Sequence, residues 1–250
     1  MTIFDRVDAY KAVIDEQRPF EGQLLKQLRD YYRIGLTWSS NALEGNTLTI
    51  SETKVLLEDG LTIGGHPLRE VYETTGHSDA YSYMFGLQKE HRITVQDMQT
   101  MHRMFYRSID EAQAGVWRDA PVIVTGTDYA FPAPHELDKL MQELETWIES
   151  ERDNMHPVEF AAMLHLKFVS IHPFIDGNGR VSRLLMNLAL IQDGYMLALI
   201  PPIVRSEYLS KIRAYQQRGE ADSFCEFIAE RVYESEKEIM RLLHIPAPKM

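Results

Sequence analysis

The chain contains a single cysteine, no apolar run approaching the ~18 residues of a membrane span, and fewer basic than acidic side chains, 26 against 37 in 250 residues. Each shortage closes off a class of protein. One cysteine, Cys225, rules out an intrachain disulfide and fits a reducing compartment, and its apolar setting in "DSFCEFIAE" predicts a small buried hydrophobe. The opening "MTIFDRVDAYKAVIDEQ" is charged throughout and has no apolar leader core, so the expected location is the cytoplasm, with no membrane attachment. A net charge of −11 leaves no general attraction for nucleic acid or anionic lipid. Ser/Gly linkers, low-complexity tracts and internal repeats are missing too. With 44% hydrophobic residues, the length suits one domain with an extension or two small ones.

What is present is mainly helical periodicity. After "FPAPHE", residues Leu137, Leu140, Met141, Leu144, Trp147 and Ile148 recur at i, i+3, i+4 and i+7 and mark an amphipathic helix. Met98, Met101 and Phe105 repeat the pattern after Thr94, whose partner Asp97 suggests a capping pair; Thr49 and Glu52 bracket another start, closed by Gly60. Pro157 to Ile171 is apolar on nearly every face and predicts a buried helix. Val181, Leu184, Leu185 and Leu188 form a single stripe on the next helix, which Gly194 ends. The exception is "DAPVIVTGTDYAFPAP", where a β-branched run, a Thr-Gly turn and a second run with Tyr129 and Phe131 predict a hairpin. The expected fold is all-α with one small hairpin.

Between the two helices lies "IHPFIDGNGRVSR", Ile171 to Arg183, crowded with polar and glycine residues. The start of the second helix presents unpaired N–H groups and partial positive charge, and Gly177 and Gly179 let a ligand approach the backbone. That is a cradle for an anion, best suited to phosphate. Arg180 and Arg183, three apart, share a helix face and carry forks suited to phosphate or carboxylate oxygens. Asp176 is placed to ligate Mg²⁺ bridging phosphate oxygens, and His172 is the one group of the set that titrates near neutrality, which suits a general base. With no Ser or Cys nucleophile among them, direct transfer to an external acceptor is expected.

From His172 to Arg183 the chain also matches, position for position, the signature H-P-F-x-[D/E]-G-N-G-R-x-x-R, and so resembles the Fic family. The likeness runs from about Thr94 to Val232, through "AGVWR" and "HPVEFAAMLH". The resemblance implies an all-α Fic fold, a helical bundle with a β-hairpin flap, and transfer of AMP from ATP to a Ser, Thr or Tyr hydroxyl of a target protein, with ATP and Mg²⁺ as cofactors. It implies His172 as the base, Asp176 as the Mg²⁺ ligand, Asn178 with the Gly177 and Gly179 backbone as the α- and β-phosphate cradle, and Arg180 and Arg183 as the phosphate-binding pair. The hairpin Val122 to Phe131, with Val124, Thr125, Gly126 and Thr127 at its tip, resembles the flap that clamps the target by strand addition. Tyr208, Leu209 and Gln216 fall where relatives close the adenine pocket, Leu209 and Gln216 departing from the aromatic and Asn often found there.

Upstream, Ser40-x-x-x-Glu44-Gly45 in "SSNALEGNTLT" resembles the inhibitory motif [S/T]-x-x-x-E-[G/N], which places the chain among relatives carrying an N-terminal inhibitory helix, class II. Glu44 is expected to pair with Arg183 and so contest the guanidinium that holds the γ-phosphate. The implied organisation is an N-terminal helical extension over residues 1–90, a Fic core over 91–235 and a tail over 236–250. Expected partners are ATP and a target protein with a hydroxyl side chain, with a homo-oligomer possible on the helical surfaces. Other readings compatible with the residues are an enzyme that also removes AMP, a Fic transferase using another nucleotide or a phosphate donor, and a non-catalytic nucleotide-binding module.

Overall fold

A computed structural model describes residues 1–62 and 64–248. Among these the elements are α1 (Ile3–Asp15), α2 (Gly22–Leu43), α3 (Ile50–Asp59), α4 (Leu68–Gly86), α5 (Val95–Tyr106), α6 (Leu137–Glu151), α7 (Pro157–Ile171), α8 (Asn178–Gln192), α9 (Arg205–Arg218) and α10 (Asp222–Leu242). Single 3₁₀ turns at Pro134–Glu136 and Pro202–Val204 lead into α6 and α9.

The helix starts follow from local chemistry. Thr49 and Thr94 each accept from the backbone three residues on, while Glu52 and Asp97 reach back to the cap backbone, so both are complete capping boxes. Gly60, at φ +67°, ends α3 as expected. Cys225 is free and buried.

α7 and α8 pack against each other at the centre, with α2, α4 and α5 also against α8. α8 is more enclosed than its apolar stripe suggests, because every residue from Asn178 to Gln192 except Gly179 is buried. Its leucines each add roughly 2 kcal/mol of burial. Its polar side chains are inside because each finds a partner. Asn187 shows this: it donates to Arg183 O at 2.9 Å and accepts from Ala198 N at 2.8 Å, pinning the segment after α8 to the helix. α1 lies along α10, which runs unbroken past residue 236 and buries Glu236, Ile239 and Met240. The expected tail boundary therefore falls inside a helix.

The hairpin expected over Val122 to Phe131 is not formed. The chain there is extended with a turn at Thr125 and Gly126 (φ +88°), but no strand occurs among the described residues. The two-residue alternation is real, since Val122, Val124, Thr127, Tyr129 and Phe131 are half-buried while Ile123 is 97% exposed. Alternation reports which side is covered, not whether two backbones pair. An isolated two-stranded ribbon is marginal in water, and no third strand lies beside it. Arg118, buried, holds the loop instead: it donates to Ala120 O at 3.0 Å and to Pro132 O at 2.6 Å, closing both ends with one guanidinium.

Candidate active site

His172 ends α7 in the left-handed conformation, φ +53°, ψ +59°. That turn swings the chain into the loop and presents the ring at its edge. Nδ1 lies 3.3 Å from Val169 O, so the proton belongs on Nδ1 and Nε2 carries the free lone pair. Burial depresses the imidazole to about 4, against the hydrogen bond to Val169, which favours the charged form. It is neutral at pH 7 and able to accept a proton. Arg118 donates to its carbonyl at 2.9 Å, and the Phe131 ring lies 4.5 Å away, so the extended loop borders this imidazole.

The Asn178 side chain braces the loop. Oδ1 accepts from Phe174 N at 2.9 Å and Nδ2 donates to Phe174 O at 2.8 Å, which commits both of its polar ends. Gly177 has φ +79°, and a β-carbon there would strike the Phe105 ring. The surface offered above α8 is thus backbone, with Gly179 at its centre.

Asp176 is held three ways: Oδ1 accepts from Gly177 N at 2.6 Å, its carbonyl accepts from His102 Nε2 at 3.1 Å, and Oδ2 accepts from Arg69 at 2.7 Å. His102 Nδ1 accepts from Gly115 N at 2.8 Å, which leaves Nε2 as the protonated nitrogen. Burial holds this ring at about 4, and it stacks on Phe174 at 3.7 Å and 5°. The motif loop is therefore clamped from α5 by a neutral histidine.

The two arginines of α8 diverge in partners. Arg180 donates to Asn41 Oδ1 at 2.9 Å, pairs with Glu73 at 3.2 Å and lies 4.7 Å over the Phe105 ring. Its guanidinium is thus engaged by α2 and α4, and Nη1 lies 3.9 Å from Asp176 Oδ1. Arg183 donates to Ser40 Oγ and Ser40 O, both at 2.9 Å, to Tyr208 Oη at 3.2 Å and to Glu44 Oε1 at 2.7 Å. Glu44 caps the C-terminus of α2, where helix carbonyls also attract cations; Arg205 donates to Leu43 O at 2.7 Å. The Glu44 side chain keeps 35% of its surface, yet its carboxyl faces guanidiniums. Burial resists its ionisation, but Arg183 first, then Arg180 and Arg205, hold it below the usual carboxylate range. It is ionised, and Oε1 lies so close over Gly179 that any β-carbon there would collide with it. A carboxylate sits over the first turn of α8.

Tyr208 is buried, its hydroxyl between Arg183 and His165 Nε2 at 2.7 Å, so it reaches the site through Arg183. Gln216 lies two turns further along α9, half-buried. Thr125 and Gly126 form the exposed turn between the half-buried Val124 and Thr127, and Arg213 of α9 donates to Gly126 O at 3.2 Å.

Sequence reading missed Arg69, Glu73, His102 and Arg118 as site neighbours. Only Arg118 left a trace, as the last residue of "AGVWR"; the others reach the loop by tertiary packing alone.

Comparison with known proteins agrees with this geometry. The Fic/DOC family matches residues 92–190. Protein adenylyltransferase Fic of Drosophila grimshawi is 38% identical over 195 residues, 77% of this chain and 40% of the relative; that of Drosophila willistoni is 35% identical over 226 residues, 90% and 45%. The chain spans less than half the length of these curated relatives. Among solved structures, Fic-1 from C. elegans superposes with a TM-score of 0.86 at 26% identity, over 97% of this chain and 72% of that one. A Fic domain containing signaling protein from Bacteroides thetaiotaomicron gives 0.83 at 27% identity, over 94% and 95%. None of the described helices is long and apolar enough to cross a membrane. The complete motif, the loop it builds and the agreement of sequence and fold together show that this chain belongs to the Fic/DOC family.

Proposed function

We propose that the chain is a protein adenylyltransferase, moving AMP from ATP to a Ser, Thr or Tyr hydroxyl of a target protein, and that Glu44 holds it off. The observation that carries this reading is the ionised Glu44 carboxylate over Gly179, paired with Arg183. It marks the first turn of α8 as a seat for an anion, beside a neutral histidine with a free Nε2.

In the reaction, phosphate oxygens replace the Glu44 carboxylate and Arg183 turns to them. His172 Nε2 accepts the proton of the target hydroxyl as its oxygen bonds to the α-phosphorus. The bond from the α-phosphorus to the bridging oxygen breaks, and pyrophosphate departs with the electron pair. Arg180 holds α8 to α2 and α4, and its charge, which already reaches the Glu44 carboxylate, adds to that of Arg183 beside the phosphates. Asp176 suits a divalent cation: its side chain is 41% exposed, and its Oδ2 already holds one positive charge, that of Arg69, at 2.7 Å. One carboxylate completed by phosphates and water is the usual manner of Mg²⁺. When bound, the cation neutralises charge on the leaving pyrophosphate. The extended loop from Pro121 to Pro132, bordering His172 with its backbone unpaired in a ladder, suits an extended target segment. In this scheme residues 1–90 regulate, and the core from residue 91 through the end of α10 at Leu242 catalyses.

The test is labelling with ATP carrying the isotope at the α- or the γ-phosphate. Glu44→Gly is expected to raise α-label incorporation into the chain itself or a lysate protein on the order of tenfold or more, and His172→Ala in that background to abolish it. Incorporation of γ-label alone would assign phosphate transfer instead. Tight ATP binding without either label would make the chain a binding module.

A further inference from the structure

Each oxygen of Asp176 has a partner: Gly177 N holds Oδ1, with the buried Arg180 Nη1 3.9 Å away, His102 holds the carbonyl, and Arg69 Nη2 holds Oδ2 at 2.7 Å. Only the last partner is long, flexible and half in solvent, with 55% of its side chain exposed. Arg69 reaches over from α4, steadied by Glu73 Oε1 at 3.3 Å, and Glu73 is itself shared with Arg180 at 3.2 Å and Asn46 at 3.1 Å. Around this corner stand two carboxylates, Asp176 and Glu73, and two guanidiniums, Arg69 and Arg180. The charges balance as they are. If Arg69 withdraws, one negative charge is left uncompensated on the oxygen that faces solvent.

We propose that Arg69 is a built-in substitute for the divalent cation, and that the cation enters only by displacing it. This rests on reading Asp176 as the cation's ligand. The N-terminal helices then occupy both ends of the site with charges that imitate the substrate complex: Glu44 stands on the anion seat and Arg69 on the cation seat. Neither blocks by bulk. Each is a fixed, intramolecular competitor of like sign to the ligand it imitates. Because the Arg69–Asp176 pair is half-exposed, the competition is modest and screened by salt.

The experiment measures binding rather than turnover. In the full chain carrying Glu44→Gly, affinity for α,β-methylene-ATP is measured by calorimetry across a series of Mn²⁺ concentrations and in EDTA. Adding Arg69→Gln should lower the half-saturating Mn²⁺ roughly three- to tenfold, an effect of up to one step of 1.4 kcal/mol. Affinity in EDTA should stay as it was, and the gain should shrink in 0.5 M salt. Arg69→Lys, which keeps the charge without the fork, should fall between. An unchanged Mn²⁺ requirement in Arg69→Gln overturns the proposal, and so does weaker binding in EDTA, which would make Arg69 a phosphate ligand. Asp176→Ala separates the two levels. Loss of Mn²⁺ dependence there alongside an unchanged Arg69→Gln sinks only the Arg69 role, whereas retained Mn²⁺ dependence sinks the reading of Asp176 and the proposal with it.

Discussion

Glu44 Oε1 lies where a β-carbon on residue 179 would have to stand. The absence of a side chain at Gly179 is what admits the carboxylate, and in the proposed reaction the same space receives a phosphate. Gly179→Ala tests this in the Glu44→Gly background, where no collision with Glu44 remains. The helix tolerates alanine, since Gly179 is not among the residues of positive φ, and Ala is the better helix former. Nucleotide affinity is expected to fall at least about tenfold while the melting temperature holds or rises. Undiminished affinity would place the anion seat elsewhere.

Loop geometry depends on Asn178 rather than on ligand. Asn178→Ala removes both bonds to Phe174 and leaves a buried N–H and C=O unsatisfied, at a cost of about 2 kcal/mol. For a chain of this size that lowers the melting temperature roughly 4–8 °C. A melt indistinguishable from wild type would show that the brace carries no weight.

Three buried histidines bear on acid stability. Burial depresses His77 to about 3 and His102 to about 4, and His165 well below its ordinary value. The unfolded chain takes up these protons near pH 6.5 and the folded chain does not. Their contribution is therefore whole above pH 6.5 and lost as pH falls from there toward 3. Denaturant midpoints are expected to decline already between pH 6.5 and 5, before ordinary carboxylates titrate. A flat midpoint across that interval would contradict the neutral state assigned to these rings.

Glu236 behaves in the opposite sense. Fully buried in α10, with both carboxyl oxygens unpartnered, it is raised to about 9 by burial and then by Asp8. Its folded state is favoured below the ordinary carboxylate range and weakened as pH climbs from about 4.5 toward 9. Glu236→Gln should raise the melting temperature at pH 8 by at least about 5 °C, with the gain fading by pH 4.5. An equal shift at both pH values would mean that packing, not charge, is responsible.

For His172, depression to about 4 puts the acid limb of activity there rather than near 6.5. A pH–rate profile of the Glu44→Gly protein should be level from pH 6 to 8. A limb centred near 6.5 would mean that the ring is far more solvated than its neighbours suggest.

How much of this was legible beforehand depended on whether the relevant residues adjoin in sequence. His172 to Arg183 is contiguous, so the loop, the helix start and the glycine seat were readable from residue types and spacing. Glu44 was readable because its own motif travels with it. The partners of Arg180 were not legible, because a sequence shows a guanidinium but not the Asn41 and Glu73 that engage it from helices more than a hundred residues away. α8 looked amphipathic for the same reason, its polar side chains being inside with distant partners. The loop after Asp119 kept its alternation yet lost its ladder, because pairing needs a neighbour that hydrophobic pattern does not supply.

Arg69, Glu73 and His77 succeed one another every four residues along one face of α4. They touch, in turn, Asp176, Arg180 and Thr37 of α2. They work as the teeth of one comb. A shift of α4 by a single turn would pull all three at once, from the loop before α8, from α8 itself and from α2, so these contacts are made or lost together.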